Sequence, residues 1–101
     1  MIATYTVYVT ENGKIWANET HYGEDFSEAL LTIRSWDWEI AWVWKTTYDE
    51  ATCAMTAEDV SVKVAEALID YYEDDATHPP YHVTNFINLH YPNWTPPEDL
   101  S

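Results

Sequence analysis

Trp36-Asp37-Trp38-Glu39-Ile40-Ala41-Trp42-Val43-Trp44-Lys45 is the stretch on which the fold turns. Trp36, Trp38, Ile40, Trp42 and Trp44 fall on one parity; Asp37, Glu39, Ala41, Val43 and Lys45 fall on the other. A period of two marks a strand, because successive side chains of a strand point to opposite faces. Ile33, Ile40 and Trp44 also fit a helical spacing, but the density of aromatic and β-branched residues favours a long, half-buried strand. The Trp row is then expected to pack against helices, since aromatics dominate protein cores. The competing use of such a row is stacking on sugar rings or unpaired bases.

Upstream, residues 2–10 and 14–20 are rich in β-branched and aromatic side chains and are separated by Asn12-Gly13. That dipeptide predicts a two-residue hairpin, because a type I′ turn needs positive φ at both central positions. Asp25-Phe26-Ser27-Glu28 has the form of a helix start, with Asp25 as cap and Glu28 three residues on. Phe26, Ala29, Leu30 and Ile33 continue it at helical spacing to near Ser35.

Downstream, residues 52–55 suit a short return strand. Thr56-Ala57-Glu58-Asp59 suits the N-terminal cap of a second helix, with Val60, Val64, Ala67, Leu68 and Tyr71 as its apolar stripe and an end near Tyr72. Residues 83–91 fit a short strand and a short helix equally. A Pro-rich tail from about residue 92 is expected to be irregular. The sum is a single α+β domain over residues 1–101: a small sheet of hairpin and Trp strand packed against two helices.

Charge is the outlying property. Eighteen acidic residues face four basic ones, a formal net charge of -14. Such a surface repels nucleic acid and anionic membranes and attracts basic protein surfaces, which nucleic-acid-binding proteins commonly own. With 47% hydrophobic residues the chain is too apolar for a disordered acidic tail. Cys53 is the only cysteine, so no internal disulfide forms and a reducing cytoplasm is expected. Met1-Ile2-Ala3-Thr4-Tyr5-Thr6 shows neither the basic start nor the apolar run of a signal peptide.

Little supports catalysis. Gly13 and Gly23 are the only glycines, so there is no glycine-rich phosphate loop, and Arg34 is the sole arginine. His78 and His82 stand four apart, but Pro79 and Pro80 between them forbid the helix that would make them a zinc pair. His90 and Cys53 add no known zinc spacing. No enzyme activity, metal or cofactor is therefore expected.

The acids carry the functional lead. Asp59, Glu66, Asp70 and Glu73 recur on one face of the second predicted helix, interrupted by Lys63. At 1.5 Å per residue, Glu66 and Asp70 stand about 6 Å apart and Glu66 and Glu73 about 10 Å apart, a scale comparable to phosphates along one DNA strand. Asp74 and Asp75 extend the row at the helix C-terminus, where the macrodipole disfavours anions. Asp59, Glu66, Asp70, Glu73, Asp74 and Asp75, with Trp94 of the tail as an aromatic anchor, form the predicted partner-binding set.

In charge and size the chain resembles the small acidic DNA-mimic inhibitors of phages and mobile elements. That resemblance implies a non-catalytic inhibitor of a host restriction, CRISPR or repair protein, acting at its nucleic-acid site and binding neither nucleic acid nor membrane itself. An aromatic-mediated protein-binding adaptor, a halophile's domain with solubilising acids and a sugar-binding module are the alternatives.

Overall fold

Asn12 and Gly13 take φ values of 52° and 77°, the backbone that a type I′ turn demands. They fold β1 (Ile2–Glu11) onto β2 (Lys14–Tyr22). The computed structural model describes residues 2–23, 25–35, 37–75 and 78–96, with backbone alone at Asn18, Glu19, Tyr22 and Asp75. Within them α1 (Ser27–Ser35), β3 (Glu39–Asp49), β4 (Ala54–Asp59), α2 (Ser61–Asp75) and α3 (Tyr81–His90) follow in order. The four strands make one antiparallel sheet in the order β2-β1-β3-β4, and the class is α+β.

Three helices pack on one sheet face. Tyr5, Val7 and Val9 of β1 and Ile40 and Val43 of β3 point to that face and are buried. They meet Ala29 and Ile33 of α1, Val64, Ala65, Leu68 and Tyr72 of α2, and Val83, Phe86 and Ile87 of α3. Phe26 sets its ring edge-on to Tyr5, centroids 5.9 Å apart.

The Trp strand departs from its predicted alternation. Tyr8 pairs with Trp42, but the next β1 residue, Val9, pairs with Ile40, which leaves Ala41 as a bulge. An extra residue shifts parity. Ile40 and Val43 consequently share the helix-covered face, while Trp42 and Trp44 turn to the opposite one. The expectation that the Trp row packs against the helices is thus corrected for these two residues. Trp38 precedes the strand, and Trp36 lies outside the described residues. Asn18 bulges β2 beside the same point of β1, and paired bulges around Tyr8 add local twist to the sheet.

Two boundaries also move. Thr56, Ala57, Glu58 and Asp59 belong to β4, and the helix begins at Ser61. The cap position is Val60, whose carbonyl accepts the Val64 N–H at 2.9 Å, and Asp59 just before it takes up the Ser61 N–H through Oδ1 at 2.9 Å. At its other end α2 runs on to Asp75, so Glu73, Asp74 and Asp75 lie within its last turn, which holds no basic residue. Residues 83–91, open to either reading, are helical except Tyr91, with His82, Val83, Phe86 and Ile87 as the buried stripe of α3. After α3, residues 91–96 carry no helix or strand, and Asn88 ties them back by donating to the carbonyls of Tyr91 and Trp94 at 3.1 and 2.9 Å.

Candidate protein-binding surfaces

Most of the predicted acidic row lies along α2, but its members differ in what they do. Glu66 Oε1 accepts the Tyr91 hydroxyl at 2.6 Å, and Glu73 Oε1 accepts the Trp94 indole N–H at 3.0 Å. These two carboxylates fasten the segment after α3 to α2. The bond to Glu66, with some burial, raises the Tyr91 phenol above its ordinary value. Asp59 ends β4 and accepts the Ser61 N–H at the start of α2. Asp70, Glu73 and Asp74 line an open groove with Ala67 and Tyr71. Asp75 closes the helix, and its side chain lies outside the described set. Trp94 is half-buried and packs against the core.

Three of the four cations are set against groups of the chain itself, and Lys14 is exposed. Lys14 stands opposite Glu11 in the β1–β2 ladder. Arg34 donates to the Tyr71 hydroxyl at 2.6 Å, with its guanidinium carbon 3.8 Å from the Tyr71 ring centroid. Lys45 lies 5.8 Å from the Tyr5 ring centroid, and Lys63 lies 3.9 Å from Glu58. Burial holds the neighbouring Tyr72 phenol above its ordinary value, partly offset by Arg34. The acidic surplus therefore faces solvent with three of its four counter-charges already set against the chain itself.

Compared with protein-family models, curated proteins and solved structures, the chain matches none.

The histidines do not converge. His82 is buried, and its Nε2–H is given to the Ile33 carbonyl at 2.7 Å, since a carbonyl can only accept. Its Nδ1 stands 3.5 Å from Asp37. His90 sets its ring edge-on to Phe86, and Cys53 is exposed in the β3–β4 turn. Among the described residues no three His, Cys, Asp or Glu side chains come together as metal ligands. Among them, too, no helix is long and apolar enough to cross a membrane.

Sequence reasoning missed the sheet face that no helix among the described residues covers, whose aromatic side chains are half-buried. Tyr8, Trp42, Trp44 and Tyr48 lie on it with the threonines Thr4, Thr6, Thr10, Thr20 and Thr46. Tyr8 and Trp42 touch, ring centroids 6.0 Å apart. Glu39 and Asp59, both near its ends, are the only charged members among the described side chains there. In so acidic a chain, this face is nearly free of charge. The parity of the Trp row held the signal, but the bulge at Ala41 decides which face receives it.

Proposed function

We propose that this chain is a non-catalytic inhibitor that binds a basic protein and occupies the site where that protein takes up nucleic acid. The class of partner that fits is a host defence or DNA-binding protein of the restriction, CRISPR or repair kind, met in the cytoplasm by a product of a phage or mobile element. One observation carries the reading: an acidic surplus of fourteen charges, with three of the four cations, Arg34, Lys45 and Lys63, set against an acid or an aromatic ring of the same chain. Such a surface steers basic partners and repels duplex DNA. Asp70 and Asp74 are the row members to test, because both are exposed and neither accepts a side-chain hydrogen bond from another described residue.

The experiment immobilises the chain, captures proteins from host lysate, and elutes with salt or with duplex DNA. The expected partner leaves with either, because DNA and the acidic surface compete for one basic cleft. Asp70→Lys with Asp74→Lys should release it at lower salt. A gel shift of DNA by the purified chain itself, or a partner indifferent to competing DNA, would reject the reading.

A second reading has its own support. The uncovered face of Tyr8, Trp42, Trp44 and Tyr48 suits an adaptor that binds protein through aromatics, since aromatic anchors dominate interface energetics. Under that reading the captured protein resists salt and is lost on Trp42→Ala.

A further inference from the structure

A cavity of about 460 Å³ opens where the β1–β2 hairpin meets the segment joining α1 to β3. Trp16 and Trp38 line it, 54% and 43% exposed. Glu11, Asp37 and Glu39 line it as well, with Val9, Thr10 and Ala17 completing the wall, and no Lys or Arg is among these residues. The volume falls within the range of roughly 300–1,000 Å³ typical of small-ligand sites.

The composition of the wall selects a cation. Indole faces attract positive charge through the ring quadrupole, more strongly than other aromatic rings. Glu11, which shares a face of the hairpin with Val9 and Trp16, and Asp37 of the adjoining segment supply acceptors there. Two basic groups already stand near them: Lys14 opposite Glu11, and His82, whose Nδ1 lies 3.5 Å from Asp37. Neither lines the cavity, and the Asp37 side chain is almost wholly exposed. An ammonium is a compact, strongly hydrated point charge. A guanidinium is planar, is more weakly hydrated, stacks on aromatic rings and offers a fork of N–H donors to a carboxylate. The second meets both wall chemistries at once with the better-matched geometry, a plane for the indole and a fork for the carboxylate.

We propose that this cavity receives the guanidinium of an arginine side chain presented by a bound protein. The assignment goes beyond the function proposed above and does not depend on nucleic-acid mimicry, because it rests on the cavity wall alone.

The test titrates N-acetyl-arginine-N-methylamide into the whole chain at fixed ionic strength, to roughly 50 mM because a single side chain binds weakly. The readout is the indole N–H resonances of Trp16 and Trp38, assigned with Trp16→Phe and Trp38→Phe. Both should shift and saturate. The lysine analogue should bind about tenfold more weakly, and the neutral citrulline analogue should give no saturable shift. Trp16→Ala and Glu11→Gln should each weaken arginine binding by about threefold or more. Should Trp16→Ala fail to fold, Glu11→Gln and the citrulline arm still decide. An absent arginine response overturns the proposal. Equal responses to arginine and citrulline, or to arginine and lysine, overturn it too. Failure here leaves DNA competition for the partner untouched, so the two proposals fall separately.

Discussion

Ser61 shows how much one side chain can hold. It is buried, its Oγ accepts the Val43 N–H at 2.9 Å, and that bond ties the start of α2 to the strand next to the bulge. Ser61→Ala leaves a buried backbone N–H without a partner, which costs about 1–3 kcal/mol. Urea unfolding should show that loss with an unchanged m-value. Asp25 acts at the surface instead. The Ser27 backbone N–H at 3.0 Å, and then the Ser27 hydroxyl, hold its carboxyl below the ordinary value of 3.8. A depressed folded-state value means stability that is present above pH 3.8 and lost as pH falls through the folded value. The stability gap between wild type and Asp25→Ala should therefore close on acidification below pH 3.8, as followed by urea midpoints across pH. At this scale the sequence was legible where contacts are local. The bond from the helix start to Asp25 could be read from its neighbours, although Phe26, whose carbonyl accepts the Leu30 N–H, takes the cap position. The bonds from Tyr91 to Glu66 and from Trp94 to Glu73 span 25 and 21 positions, and no local spacing encodes them.

Among the elements, the hairpin, the first two helices and the α+β class follow from turn chemistry and periodicity. The bulge at Ala41 does not, because a periodicity count assumes regular pairing and a bulge exists only relative to a partner strand. Its effect is large: Ile40 and Val43 enter the core together although three positions apart, and the tryptophans between and after them turn to the uncovered face. The third helix was ambiguous for a different reason. Its stripe of Val83, Phe86, Ile87 is short, and short apolar runs suit either period. Packing settles it, and Phe86→Ala should cost about 3–5 kcal/mol in thermal or urea unfolding. The β4 strand lies at the other extreme. All six of its residues are exposed, so Met55→Lys should change stability by no more than about 0.5 kcal/mol.

For the whole molecule the dominant quantity is self-repulsion. The fold spans 52 × 32 × 22 Å and carries a formal charge of -14, so its charges oppose compaction at low ionic strength. Added salt should raise the urea midpoint steadily between about 20 and 500 mM, as the Debye length shrinks from about 20 to about 4 Å. The chain should nonetheless be folded at the low end, because its three helices and sheet close over a continuous core. Circular dichroism at both ends checks this, and a chain folded only near molar salt would point to a halophile's domain. Charge and size were legible at once; where the charge is missing was not, since that depends on which residues the sheet turns outward.

The sheet face of Tyr8, Trp42, Trp44 and Tyr48 makes each molecule a charged colloid with one half-buried, nearly uncharged facet. Long-range repulsion keeps such particles dispersed. Near the sequence isoelectric point of 4.2 that repulsion vanishes, and facets rich in Trp and Tyr can meet. Light scattering should therefore rise as a solution is titrated toward that pH, and Trp42→Lys should delay the clouding.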